Sequence, residues 1–220
     1  MKKNITNIIF DLDGTIINSG PDLFDALNHV LEQKELNPIK RNILGNLVGG
    51  GAEAMIKKGF DFLNYKYSND EIPELVKTFL TYYFDHCAEK SFLYKDVQES
   101  LIKLKILGYK IGLCTNKKQY LTEKILTEYK IDHLFDIILG SSDDFPLKPE
   151  PDMLKHCLKT LNSDPSKSVM VGDSMNDIIP AKKLNMSSVF VSYGYGNLDK
   201  KTKPTYIING IKTIFKILGY

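Results

Sequence analysis

Ile8-Ile9-Phe10-Asp11-Leu12-Asp13-Gly14-Thr15 decides the reading of this chain, because an apolar run ends in two carboxylates placed two residues apart. The apolar triplet predicts a buried strand, and on an extended backbone such acids start on the same face. Gly14 then lets the chain turn without a Cβ penalty. Like charges in one pocket repel unless a cation sits between them, and oxygen-only ligands favour magnesium over zinc. The plainer alternative is a strand-ending turn in which an Asp caps a backbone amide.

Downstream, the pattern is first helical. Ser19-Gly20-Pro21-Asp22 predicts a helix start of the capping-box kind, with Leu23, Leu27, Val30 and Leu31 following at helical spacing. A second helix is expected after Gly49-Gly50-Gly51, and a third near Ser68-Asn69-Asp70-Glu71, running through Leu75, Phe79, Tyr82 and Tyr83. No strand is expected between about Ile17 and Leu93. From Asp96 onward helices and strands alternate: helix Val97 to Leu107, strand Lys110 to Cys114, helix Tyr120 to Tyr129, strand Phe135 to Leu139, helix Pro151 to Leu161 and strand Ser168 to Val171. A short helix through Ala181, strand Ser188 to Val191, strand Tyr206-Ile207-Ile208 and a last helix complete the chain. Short apolar strands separated by helices predict an α/β fold, a Rossmann-like parallel sheet with helices on both faces. The core is expected from residues 1–16 and 94–220, with an all-helical insertion over residues 17–93.

Ligands of such sheets bind beyond the carboxyl ends of the strands, so functional polar groups should recur there, and they do. The second core strand ends at Cys114-Thr115-Asn116-Lys117, where a hydroxyl and the first amides of the next helix offer a phosphate site; an ordinary helix cap is the alternative. The loop after the third carries Lys148-Pro149-Glu150-Pro151, a cation held by stiff prolines or else a solvated charge. The fourth ends at Gly172-Asp173-Ser174-Met175-Asn176-Asp177, two acids one helical turn apart, which a helix N-terminus also favours electrostatically.

With 220 residues, 43% of them hydrophobic, the chain can bury a full core. A formal charge of +2 gives no broad basic field, which argues against nucleic acid and an anionic membrane surface. The apolar stretch at the N-terminus stops at Asp11, short of a signal-peptide core or a span, so a soluble cytoplasmic protein is expected. Cys87, Cys114 and Cys157 fit neither a disulfide framework nor a zinc site.

The segments Asp11-Leu12-Asp13-Gly14-Thr15, Thr115-Asn116, Lys148-Pro149 and Gly172 to Asp177 stand in the order and spacing of the haloacid dehalogenase superfamily, which the chain resembles over almost its whole length. Within it the likeness is greatest to the phosphoglycolate phosphatases of bacteria, at Phe10 to Ser19, Val48 to Ala52, Val171 to Ile178 and Tyr193-Gly194-Tyr195. The resemblance implies a magnesium-dependent phosphomonoester hydrolase. Asp11 is then the nucleophile and Asp13 the acid and base. Mg2+ is implied on Asp11, the Asp13 backbone carbonyl and Asp173, with Asp177 nearby. Gly14, Thr115, Asn116 and Lys148 are implied to bind the phosphoryl oxygens.

The resemblance makes the helical insertion a cap that sets specificity, with Gly49, Gly50, Gly51 and Lys57 or Lys58 as candidate contacts to a substrate carboxylate. Gly50 departs from the larger or polar residue common at that place, which bears on the substrate more than on the chemistry. The implied substrate is a small phosphorylated metabolite, 2-phosphoglycolate foremost, and the chain is expected as monomer or dimer. Alternatives are a sugar-phosphate phosphatase, a phosphosugar mutase, and a non-catalytic phosphate-binding protein. Asp13 separates the chain from dehalogenases, whose leaving halide needs no proton.

Overall fold

The structure, a computed structural model, describes residues 5–40, 43, 47–48, 50–199 and 201–220. The chain divides into two compact units, Met1–Asn18 with Leu93–Tyr220, and Ser19–Phe92. It passes from one to the other at two short strands, β2 (Ile17–Asn18) and β3 (Phe92–Leu93).

The first unit is built on a six-stranded sheet. Its strands are β1 (Asn7–Phe10), β4 (Lys110–Lys118), β5 (Ile137–Ser141), β6 (Ser168–Gly172), β7 (Ser187–Val191) and β8 (Tyr206–Ile208). Their order is β5-β4-β1-β6-β7-β8, and every pairing is parallel. β1 lies between β4 and β6, with Phe10 opposite both Leu113 and Val171. Ile8, Ile9 and Phe10 have no exposed surface, which explains a strand that reads as a continuous apolar run.

Helices α4 (Val97–Ile106), α5 (Gln119–Glu128), α6 (Asp152–Thr160) and α7 (Met175–Lys183) cover the sheet, and α8 (Ile214–Leu218) ends the chain. Met153, Leu154, Cys157 and Leu158 of α6 pack with Ile9, Cys114 and Met170 in one buried cluster. All three cysteines are buried free thiols, and among the described residues no helix is long and apolar enough to cross a membrane.

Two core strands differ from the sequence expectation by two residues or more. The third core strand starts at Ile137 rather than Phe135, because the Asp136 carboxylate takes the Ile111 amide at 2.7 Å and occupies the position of a ladder bond. The second runs to Lys118 rather than Cys114, with a register shift between Cys114 and Lys118.

In the second unit α1 (Gly20–Gln33), α2 (Gly51–Phe62) and α3 (Ile72–His86) bury Phe24, Leu27, Leu31, Met55, Ile56, Phe60, Phe79 and Tyr83 against one another. Burial of each such side chain contributes about 1.5–3 kcal/mol. Gly59 lets α2 approach α1, since a Cβ there would sit 3.1 Å from Leu27 Cδ1. The expected capping box at Ser19 is not formed: Ser19 has helical dihedrals, φ −87 and ψ −7, and its side chain makes no cap bond. Asp22 instead accepts hydrogen bonds from the Lys90 amide and from the Ser91 amide (2.8 Å) and hydroxyl (2.6 Å), tying the end of the unit to its start. At the third helix Glu71 reaches back to the Ser68 amide at 2.9 Å and the helix begins at Ile72.

Candidate active site

Asp11 is the first residue beyond β1, and its amide still donates to the Val171 carbonyl of β6 at 2.9 Å. The chain then turns: Thr15, Ile16 and Ile17 amides converge on the Leu12 carbonyl, and Gly14 takes φ +80. Since β1 is followed in the chain by β4 on one side and β6 on the other, Asp11 stands at the switch point of the sheet, where open α/β folds bind ligands.

Lys148 is drawn into the same place from the loop after β5. Its ammonium donates to Asp11 Oδ1 at 3.0 Å, Asp177 Oδ1 at 2.6 Å and the Cys114 carbonyl at 2.7 Å, with its side chain 1% exposed. Asn116 fixes the loop from β4, accepting from the Lys148 amide and donating to the Lys148 carbonyl, both at 2.8 Å. The position sequence reading left open as a solvated lysine is therefore a buried cation held by main chain and side chain. Burial opposes its charge, but Asp11 and Asp177 outweigh that and raise its pKa well above the ordinary lysine value.

Asp177 is positioned by α7 itself. Ser174 and Asp177 form a capping box, with the Ser174 amide and hydroxyl both on Asp177 Oδ2, which leaves Oδ1 facing Lys148. Asp173 is set by the loop after β7, whose Tyr195 and Gly196 amides donate to its Oδ2 at 2.7 and 3.1 Å. The surroundings are tight enough to require glycine: a Cβ on Gly14 would overlap Asp173 Oδ2, and one on Gly172 would overlap the Asp177 carboxyl. Tyr193 closes this side, its hydroxyl on the Thr15 carbonyl at 2.9 Å and its ring on Tyr94 at 4.6 Å.

Asp11, Asp173 and Asp177 can each offer a carboxylate oxygen within 4.8 Å of the others. Burial pushes the Asp11 carboxyl up to about 7, with Lys148 opposing and the neighbouring acids adding to the rise. Burial likewise pushes Asp173 up to about 6, with Asp177 adding and the two loop amides opposing. Three buried acids against one lysine leave an excess of negative charge that suits a divalent cation, and an all-oxygen donor set suits Mg2+. The Asp13 carboxylate stands apart from this set and pairs with Lys117, Nζ to Oδ2 at 3.0 Å.

Thr115 is buried beside the site. The expected helix N-terminus at Thr115-Asn116 is not there: both lie within β4, and α5 begins only at Gln119. The extra strand length is what lets Asn116 lie along the Lys148 loop. Of the candidates in the helical unit, Gly49 lies outside the described residues. Gly50 and Gly51 take φ +85 and +86 at the start of α2. Lys57 pairs with Glu53 at 2.7 Å, and Lys58 reaches the Leu47 carbonyl at 3.5 Å. Sequence reading missed the Tyr195 and Gly196 amides and gave Lys117 no role. Its position was a usable signal, since it stands two residues beyond Thr115 at the carboxyl end of a core strand.

Residues 8–191 match the family model described as haloacid dehalogenase-like hydrolase. The chain is 35% identical over 191 residues to a phosphoglycolate phosphatase of Colwellia psychrerythraea, covering 86% of this chain and 84% of the relative. It is 33% identical over 223 residues to one of Nitrosococcus oceani, covering 100% and 99%. The crystal structure of a predicted phosphoglycolate phosphatase from Haemophilus somnus 129pt is similar at a TM-score of 0.90 and 32% identity, over 97% of this chain and 98% of that one.

Proposed function

The chain belongs to the haloacid dehalogenase-like hydrolases, and from that membership and the geometry around Asp11 we propose that it hydrolyses a small phosphomonoester, 2-phosphoglycolate, to glycolate and phosphate. The observation that carries the reading is Lys148 bound at once by Asp11 and Asp177, with Asp173 beside them, at the carboxyl ends of adjacent strands. The names of the relatives support the substrate.

Asp11 attacks phosphorus through a carboxylate oxygen while the ester P–O bond breaks, giving an aspartyl-phosphate on the enzyme. Asp13 delivers a proton to the departing alkoxide oxygen and then takes one from the water that attacks phosphorus, which restores the Asp11 carboxylate and releases phosphate. Lys148 holds the Asp11 carboxylate in place, Asp177 holds Lys148, and Asn116 holds the loop that carries it. Thr115, the Asn116 amide and Gly14 receive phosphoryl oxygens, where positioning and electrostatics supply most of the rate. Asp11, the Asp13 carbonyl and Asp173 would hold Mg2+, with Asp177 close by. When bound, the ion offsets the repulsion between carboxylate and phosphate. The helical unit takes the role of a cap that selects the leaving group.

The test is phosphate release with Mg2+ across 2-phosphoglycolate, glucose phosphates, phosphoserine, nucleotides and pyrophosphate, compared by kcat/KM. A maximum at 2-phosphoglycolate is expected; a sugar-centred profile overturns the substrate, and no release from any of them overturns catalysis.

A further inference from the structure

Lys117 is a second desolvated lysine at the carboxyl end of β4, its side chain 4% exposed, with Nζ 3.0 Å from Asp13 Oδ2. Lys148 serves Asp11 and Asp177, so the two buried ammonium groups divide three carboxylates of the site between its nucleophile side and its acid side, while Asp173 is held by backbone amides. The acid side is where the leaving group departs. In 2-phosphoglycolate the carboxylate carbon is attached directly to the carbon that carries the ester oxygen. Whatever group protonates that oxygen therefore stands next to whatever binds the carboxylate.

We propose that Lys117 is the specificity-determining cation of the site, binding the carboxylate of the leaving group beside Asp13. This rests on the substrate reading above. An ammonium is a compact point charge with several donors on one atom, so the head that holds Asp13 can engage a second carboxylate alongside it. The Lys117 amide donates to the Thr115 hydroxyl at 3.3 Å, so the two residues adjoin at the end of β4. One stretch of β4 thus addresses both the phosphoryl group and the leaving group. The two lysines expected to contact a substrate carboxylate are engaged within the helical unit, Lys57 with Glu53 and Lys58 with the Leu47 carbonyl. Lys117 then gives the sheet unit a share in selecting an anionic leaving group.

The experiment measures kcat and KM with Mg2+ for 2-phosphoglycolate and for ethyl phosphate, which replaces the carboxylate by a methyl group, on the full chain and on Lys117→Met, Lys117→Gln and Lys117→Arg. The kcat/KM ratio of the two substrates is expected to fall roughly 10- to 100-fold in Lys117→Met, mainly through KM for 2-phosphoglycolate, as for loss of a charged hydrogen bond. Lys117→Arg should keep most of the ratio. If the Met variant does not fold, Lys117→Gln is read in the same way. Equal losses on both substrates would overturn the proposal and make Lys117 a support for Asp13 alone. A wild-type preference for 2-phosphoglycolate that survives in Lys117→Met overturns the role of Lys117 and leaves the substrate reading standing. A wild-type enzyme without that preference overturns the substrate reading, and this inference with it.

Discussion

Replacing Lys148 by Met removes the cation on which Asp11 and Asp177 converge at 3.0 and 2.6 Å, in a place where its side chain is 1% exposed. The volumes are similar, so the cost is electrostatic. Breaking a buried ion pair from one side costs about 3–5 kcal/mol, because the partner is left uncompensated. For a chain of this length that corresponds to a fall in Tm of roughly 6–20 °C. The loss depends on pH in a defined way. Asp11, already pushed up to about 7 beside Lys148, rises further without it, so near pH 6 it takes a proton and relieves the strain, whereas at pH 8 it must stay ionised or bind that proton at a cost. Urea unfolding without Mg2+ at pH 6 and pH 8 reads this directly. Lys148→Met should be markedly more destabilising at pH 8. Adding Asp177→Asn should recover part of the loss, since the amide can still accept from Ser174 while shedding the orphaned charge. A loss below about 1 kcal/mol at pH 8, or strict additivity in the double variant, would refute the view of Lys148 as the electrostatic centre of the site.

Asp11→Asn should abolish phosphate release yet leave the Mg2+-free fold at least as stable as wild type at pH 8, because it removes a buried acid whose charge is unfavourable there; turnover near the wild-type rate would sink the nucleophile. Gly14→Ala should cost about 1–2 kcal/mol from its φ of +80 alone, and should also weaken Mg2+ binding by calorimetry because the new methyl displaces the Asp173 carboxylate; unchanged affinity would contradict that packing. The pH dependence of the Mg2+-free protein follows from Asp11 and Asp173, whose folded pKa values of about 7 and about 6 exceed the unfolded value of 3.8. Their contribution is fully present below the unfolded value and is lost as pH rises through about 6–7, so Tm should drop across pH 5.5 to 8. Mg2+ should therefore stabilise strongly at pH 8 and weakly at pH 5.5, and a Tm shift independent of pH would contradict the raised values.

The parallel architecture was legible because β1, β6 and β7 are buried on both faces and so read as short apolar runs between helices of clear periodicity. The acids Asp11, Asp173 and Asp177 were legible for a related reason: each follows directly on such a strand or opens the next helix, and chain direction alone sends them to one edge of the sheet. Local pattern misled where a side chain served a distant partner. Ser19 and Asp22 match a capping box, but the Asp22 carboxylate is spent on Lys90 and Ser91, far along the chain. Thr115 and Asn116 look like a helix start, but Asn116 clasps the Lys148 backbone and keeps the strand extended.

The sequence by itself determined the fold class, the strand ends that carry chemistry and the identity of the acids, since these follow from periodicity and chain direction. Only the tertiary structure decided the charge pairing: Lys148 with Asp11 and Asp177, Lys117 with Asp13, Asp173 with the Tyr195 and Gly196 amides. Pairing depends on which side chains meet after burial, and the free energy of a buried charge is set by those neighbours rather than by the residues beside it in the chain.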